Sequence, residues 1–303
     1  MPEELIKNIK DLAGEHNLAP GTSMCAGCGA LETVKLFCDI LGKNTVFVNA
    51  AGCMTLLSIY PLTPFSGSWL YTAMASASAG AQGIRDALDI LIKKGKLSAD
   101  EDLKVVVLTG DGSAYGMGLS STSAAIDRGL DFYYLCYDNE GYGNTGQQDS
   151  AATPHGARTA TSASGAGFTG NKKDLFSIWA AHKPAYLATV IAAEPMDLAR
   201  KVETAMTIKG PKMFITLAPC PTGWHYEPHQ TVNIGKLAVK TGTWPLKEYK
   251  DEKVTHTKIL KERLPVEEYL KLQGRFEHLF IPEKNLTLIN RIQATVDQYW
   301  KDV

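Results

Sequence analysis

Six cysteines and two glycine-rich segments hold the residue types in this sequence that could do chemistry. Cys25-Ala-Gly-Cys28 is a CxxC pair, a spacing that suits half of a zinc knuckle, a redox pair or half of an iron–sulfur site. No second CxxC and no finger-spaced histidine pair accompanies it, which weakens the zinc reading. No thioredoxin-like strand precedes it, which weakens the redox reading. Cys53 ends Asn-Ala-Ala-Gly-Cys, and Cys220 sits in Pro-Cys-Pro-Thr-Gly-Trp. Each follows a β-branched or aromatic run, so both are expected at the carboxyl ends of strands. Four thiolates gathered at such an edge, from Cys25, Cys28, Cys53 and Cys220, could hold one [4Fe–4S] cluster. Cys38 and Cys136 fall inside an expected helix and strand and read as small core residues.

The run Lys104–Thr109 leads into Gly110-Asp111-Gly112-Ser113. In an open α/β sheet the strand carboxyl ends face the ligand crevice, and glycines there let backbone approach a phosphate. A carboxylate beside a pyrophosphate needs a cation between them, so Asp111 is a candidate Mg²⁺ ligand. Gly110, Gly112 and Ser113 are candidate backbone donors to phosphate oxygens. A second run ends in Asp138-Asn139-Glu140-Gly141-Tyr142-Gly143-Asn144-Thr145-Gly146, with Asn139 placed 28 residues after Asp111. That interval fits one loop–helix–strand crossover, so both residues can reach neighbouring strand ends. Alone, a Gly-Asp-Gly is an ordinary turn; together with an Asn-rich second strand end it is far more specific.

The elements that must position these residues follow from periodicity. Strands are expected at Thr45–Asn49, Lys104–Thr109, Phe132–Tyr137, Ala188–Ala192 and Lys212–Leu217, and helices near Gly29–Leu41, Leu70–Lys94, Gly118–Arg128, Asp174–Ala181 and Met196–Ile208. This alternation predicts an α/β fold, a doubly wound, mainly parallel sheet with helices on both faces. Residues 142–170 are rich in Gly, Ser, Thr and Ala and read as a long functional loop. Residues 1–224 are read as the main domain. Residues 225–303 are read as a C-terminal helical extension, polar and irregular to 262 and then helical at 265–279 and 286–301, packing on the domain or a partner.

Composition sets limits. The chain has 303 residues, 45% hydrophobic and 21% charged, with net charge −1. This is ordinary for a globular protein and offers no basic surplus for nucleic acid. Residues 1–21 are polar and amphipathic with no apolar signal core. The Ala-rich stretch from Leu70 to Leu91 is interrupted by Gln82, Arg85, Asp86 and Asp89, so no membrane span is expected. A cytoplasmic location is expected.

The Gly-Asp-Gly and the following Asn resemble the motif of the thiamine-diphosphate enzymes. That resemblance implies metal ligation by Asp111, Asn139 and the carbonyl of Gly141. The segments MCAGCGA, NAAGC, TGDGSAYGMG, DNEGYGNTGQQ with TPHG, PCPTGW, LAVKTGTWPL and VEEYLKLQGRF run in order along nearly the whole chain. They resemble the thiamine-diphosphate-binding β subunit of the pyruvate and 2-oxoacid:ferredoxin oxidoreductases. The resemblance implies the pyrophosphate-binding half of the thiamine-diphosphate fold. It also implies a [4Fe–4S] cluster on Cys25, Cys28, Cys53 and Cys220 close to the cofactor, with Cys53 also near the cofactor itself. The implied reaction is oxidative decarboxylation of a 2-oxoacid, with electrons passed to ferredoxin and coenzyme A usually taking the acyl group. Asn144 matches a family Asn at the reacting substrate; it also suits an Asx turn. His155, His225 and His229 have no evident pairing, and Trp69 and Trp224 either cover the site or belong to the core.

Other parts must come from partners. The carboxylate that activates the aminopyrimidine lies on a second, pyrimidine-binding domain, so that domain and its Glu are expected on another subunit, across an interface at the strand carboxyl ends. CxxCxxCxxxC runs are absent, so a ferredoxin-like subunit or domain is expected as well. Pyruvate is the default substrate. The segment Ser58–Tyr71, with Ser113 and Tyr115, departs from the pyruvate pattern and leaves oxalate, 2-oxoglutarate, branched-chain and aryl 2-oxoacids open. Two rivals stand beside this reading: a non-oxidative thiamine decarboxylase and a nucleotide-binding scaffold with a zinc site.

Overall fold

The computed structural model describes residues 18–301 together with Ile6, Asn8, Asp11 and Val303; the amphipathic reading of residues 1–21 lies mostly outside them. The strands are β1 (Thr45–Ala50), β2 (Ser68–Thr72), β3 (Lys104–Gly110), β4 (Phe132–Asp138), β5 (Tyr186–Val190), β6 (Pro211–Leu217), β7 (Lys247–Lys250) and β8 (Lys253–His256). The helices are α1 (Gly29–Leu41), α2 (Ala77–Lys93), α3 (Leu119–Asp127), α4 (Leu175–Ala180), α5 (Pro195–Met206), α6 (Pro221–Trp224), α7 (Thr231–Lys240), α8 (Glu267–Leu270) and α9 (Leu286–Lys301).

All eight strands form one sheet in the order β2-β1-β3-β4-β6-β5-β7-β8. Neighbours from β2 to β5 pair in parallel, and β7 and β8 add antiparallel to β5. Every residue of β4 and β6 is buried, as expected for central strands covered on both faces. Alternation along β3 sends Val105 and Val107 into one core layer and Val106 and Leu108 into the other. Helices α2, α3, α4, α7 and α9 cover the first face; α1 and α5 cover the second. The doubly wound sheet expected from the sequence is thus present. No helix among the described residues is long and apolar enough to cross a membrane.

Three segments differ from the sequence reading. Helix α2 begins at Ala77 rather than Leu70, because Ser68–Thr72 pairs with β1 as an edge strand. The Ala-rich composition that follows conceals that strand. The strand expected at Ala188–Ala192 runs from Tyr186 to Val190, in register with β6. Residues 225–262 hold α7, β7 and β8, and within 265–279 only α8 and a short 3-10 turn at Gly274–Leu279 are helical. Gly274 interrupts that stretch because its backbone packs on His225, leaving no room for a Cβ.

Thr189 fastens β7 to the sheet. Its hydroxyl donates to the Pro245 carbonyl at 2.6 Å and accepts from Lys247 N–H at 2.9 Å. Thr189→Val keeps the shape but orphans a buried N–H, and should lower unfolding stability by about 1–3 kcal/mol, measured by chemical denaturation.

Candidate active site

The carboxyl ends of β1, β3, β4 and β6 lie on one edge of the sheet, and the loops leaving them carry Cys53, Asp111, Asn139 and Cys220. Gly110 and Tyr137 are register partners, as are Asp138 and Leu217, so Asp111 and Asn139 leave adjacent strands side by side. Asp111 is buried, and Ser150 Oγ donates a short hydrogen bond to its Oδ2. One end of the Asn139 carboxamide lies 2.7 Å from the Gly141 carbonyl oxygen and 2.8 Å from Asp111 Oδ1. Both neighbours are acceptors. Without a cation the amide nitrogen belongs at that end; with a cation the rotated amide presents three oxygens to one point.

The backbone fits tightly around this point. A Cβ on Gly112 would lie 2.2 Å from the Tyr142 ring, so only glycine admits that ring. Residues 112–117 form a π-helical turn, closed by Gly118 N–H donating to the Ser113 carbonyl at 2.7 Å. The Ser113 hydroxyl is occupied, donating to the Met74 carbonyl at 2.5 Å. Burial pushes the Asp111 carboxyl well up, and the nearby Asp138 charge adds to the shift, while Ser150 and Lys172 oppose it.

The four cysteines singled out above come together here. Gly29 N–H donates to the Pro219 carbonyl at 3.1 Å, which sets Cys28 beside Cys220. The other end of the Asn139 carboxamide lies 4.0 Å from Cys53 Sγ. Burial pushes the Cys28 thiol up to about 12, with Cys220 and Cys25 adding to it. Burial also pushes Cys53 to about 12, reinforced by Cys28, Cys220, Cys25 and Asp111. The Cys25–Cys28 loop is pinned from above: a Cβ on Gly27, at φ +67°, would lie 2.4 Å from the Pro228 carbonyl oxygen. Thr231 Oγ1 donates to the Gly27 carbonyl at 2.6 Å. Among the described residues no three Cys, His, Asp or Glu side chains stand close enough to grip a single metal ion. Cys38 and Cys136 are fully buried in the core.

Residues 50–216 match the family model for the thiamine pyrophosphate enzyme C-terminal TPP-binding domain. The chain is 41% identical to pyruvate synthase subunit PorB of Methanocaldococcus jannaschii over 95% of this chain and 96% of that one. It is 38% identical to PorB of Thermotoga maritima, over 97% and 94% of the two chains. The chain belongs to the β-subunit family of the pyruvate and 2-oxoacid:ferredoxin oxidoreductases. A ketoisovalerate oxidoreductase subunit, VorB of Pyrococcus horikoshii, is 36% identical over 92% of this chain and 91% of that one. A solved 2-oxoglutarate:ferredoxin oxidoreductase of Magnetococcus marinus shares the fold, with TM-score 0.57 and 23% identity over 69% of this chain and 67% of that one. The β subunit thus has a thiamine-diphosphate-binding domain and is part of an oxidoreductase.

Other expected residues are placed as follows. Asn144 is exposed in the turn Gly143–Thr145, where a Cβ on the neighbouring Gly143 would lie 3.5 Å from Cys53 Sγ. His155 packs against the carbonyls of Thr169 and Gly170 and lines a separate cavity. His225 and His229 are exposed. Trp69 stacks with Phe47 and Phe65. Trp224 is fully buried, with its indole N–H donating to the Asn139 carbonyl at 2.8 Å. Both tryptophans are packing residues, and Trp224 holds Asn139 from behind.

Beneath the edge lies an ion network that the sequence reading missed. Asp138 accepts from the Tyr115 hydroxyl at 2.5 Å and pairs with Lys172 at 2.7 Å. Lys172 also pairs with Glu140 at 2.8 Å, and Glu140 with Arg275 at 2.6 Å. Arg275 stacks on Trp224, 3.8 Å from the ring centroid. Glu140 holds a left-handed φ of 62°. Burial alone would raise the Glu140 carboxyl, but Lys172 and Arg275 outweigh it and hold it below the usual range. Gln147 is also buried, with neither end of its carboxamide hydrogen-bonded.

The stability from Glu140 is complete above its unfolded-state value of about 4.5 and is lost as pH falls through the lower folded value. Arg275→Met should therefore cost up to about 3–5 kcal/mol at pH 7. The gap between variant and wild type should close as the pH drops below 4.5, as read from urea midpoints across pH.

Proposed function

We propose that this chain is the thiamine-diphosphate and [4Fe–4S] subunit of an enzyme that oxidatively decarboxylates pyruvate, passing electrons to ferredoxin and the acyl group to coenzyme A. One observation carries the reading: four thiols and a three-oxygen point share one edge of the sheet, joined by the Asn139 contact to Cys53.

The donor set fits each group. An octahedral Mg²⁺ holds oxygens at about 2.0–2.1 Å, which sets neighbouring ligand oxygens about 2.9 Å apart. The spacings of 2.7 and 2.8 Å around Asn139 suit that arrangement, and buried Asp111 supplies the negative charge. A four-iron cube spreads its thiolates over separate irons, so the cysteines need not converge on one point. Cys25, Cys28, Cys53 and Cys220 would hold it, and their thiols would lose protons on binding iron. When bound, thiamine diphosphate supplies the carbanion chemistry and the cluster accepts electrons.

This chain's own residues do the rest. Asp111, Asn139 and the Gly141 carbonyl anchor the metal and with it the diphosphate. Gly110, Gly112 and Ser113 offer backbone N–H groups to phosphate oxygens. Asn144, on the exposed turn, would donate a hydrogen bond to the oxygen where negative charge develops on the 2-oxoacid. The activating Glu would come from a partner subunit carrying the pyrimidine-binding domain, and a ferredoxin-like subunit would take the electrons onward. The proposed setting is the cytoplasm.

In the intact complex, Cys220→Ala should remove about four irons per copy of this chain while thiamine diphosphate stays bound. Asp111→Asn should leave the iron in place and raise the Mg²⁺ concentration for half-maximal activity by at least about tenfold, or about 1.4 kcal/mol. Unchanged iron content in the first variant would remove the cluster from the proposal.

Viologen reduction should be faster with pyruvate than with 2-oxoisovalerate, 2-oxoglutarate, oxalate or phenylglyoxylate. A higher kcat/KM for any of the others would reassign the substrate.

A further inference from the structure

A cavity of about 590 Å³ lies behind the cysteine edge, between the sheet and α9. Its volume is within the range of small-molecule sites, about 300–1,000 Å³. None of Asp111, Asn139, Gly141, Asn144 or the six cysteines lines it. Its walls are mainly apolar, with Phe176, Trp244, Leu270, Ile292 and Val296 among them.

Among the described residues, one buried ammonium in this cavity makes neither an ion pair nor a hydrogen bond. Lys247 lines it at 9% exposure, its ammonium 4.2 Å from the Phe176 ring centroid and 4.9 Å from that of Tyr299. Among the described residues it makes no ion pair. Asp174 acts on it only at longer range and is engaged in capping α4 through Ser177. The other cations are accounted for differently. Lys172 is bound to Asp138 and Glu140, Lys173 donates to the Tyr115 carbonyl at 2.9 Å, and Arg291 is exposed. Two aromatic faces attract a cation but do not neutralise it, and a buried charge without a counter-ion is costly.

We propose that this cavity binds a small organic monoanion, a carboxylate with an aromatic or branched aliphatic body, whose charge pairs with Lys247 while its body fills the apolar walls. Lys247 is the one buried cation of the lining with no bonded partner among the described residues, so the apolar interior matches one negative charge; a dianion buried there would stay undercompensated. The site is separate from the cofactor edge, but Tyr115, Glu140 and Lys172 form part of its lining. Through Asp138 and Glu140 they adjoin Asn139, so ligand in the cavity and cofactor at the edge are coupled in both directions.

The test uses the intact complex and 2-naphthoate as probe, with neutral 2-naphthamide as control, by isothermal titration calorimetry. Saturable binding of naphthoate is expected, with the amide weaker by at least about tenfold. Lys247→Met should weaken naphthoate by a similar factor, leave 2-oxoacid turnover unchanged and not lower the melting temperature. Val296→Trp should fill the cavity and abolish binding of both probes. The proposal is overturned by absence of saturable binding to wild type, by equal affinity for acid and amide, or by undiminished binding in Lys247→Met. It is also overturned if 2-oxoacid displaces the probe competitively, which would place the probe at the catalytic edge.

Discussion

Charge balance at the end of β4 is the constraint on which the site depends. Asp111, Asp138 and Glu140 are all buried there, and two side-chain cations, Lys172 and Arg275, are bonded to the group. Lys172 serves Asp138 and Glu140 together, and Arg275 serves Glu140 alone. Asp111 has no side-chain cation bonded to it, only the Ser150 hydroxyl at Oδ2 and the Asn139 carboxamide at Oδ1, and its carboxyl is pushed well up, by burial first and by Asp138 second. A carboxylate left in that condition takes up a proton or a cation. The proposed magnesium meets this need, making up beside Asp111 the charge that the protein's own cations leave unbalanced and bridging to the proposed diphosphate.

The same network explains why residues far apart in the chain share one site. Arg275 lies beyond the last parallel strand, yet its guanidinium reaches Glu140 and stacks on Trp224, which in turn holds the Asn139 carbonyl. The Arg275 carbonyl accepts from Arg158 N–H at 2.9 Å, tying in the long Gly- and Ser-rich loop. Pro228 and Thr231 clamp Gly27 between the two cysteines of the CxxC. Residues after 224 therefore brace both the oxygen point and the cysteine loop, and their contacts are polar or backbone contacts that depend on exact placement more than on burial.

This division accounts for what was legible in the sequence. β3, β4 and β6 are visible because central parallel strands bury both faces and read as unbroken apolar runs. Asp111 and Asn139 are visible because metal and phosphate chemistry needs those residue types at strand ends, and the cysteines because sulfur chemistry is rare and specific. Lys172 and Arg275 are not visible, since an isolated Lys in a polar loop or an Arg after a glycine looks like surface until a fold brings it beside a buried carboxylate. β2 was lost to the alanines that follow it. β7 and β8 were lost because KEYK and KVTH are too polar to read as strands; Lys247 in β7 is nonetheless buried.

Just past the end of β4 at Asp138, the left-handed turn at Glu140 separates two environments. Asn139 turns toward Asp111, Gly141 and Cys53. Glu140, the next residue, turns toward Lys172, Arg275 and the cavity under α9. Between them runs one peptide unit, held by Trp224 on the Asn139 carbonyl and by the Glu140 N–H, which donates to Asp138 Oδ1 at 3.1 Å. A shift of Glu140 is carried to Asn139, because the bond joining them is planar and stiff and the unit is pinned at both its carbonyl and its N–H. A tightly packed junction of this kind responds as a unit rather than by gradual deformation. The ligand proposed on the cavity side and the metal proposed on the cysteine side would therefore act on the same few atoms.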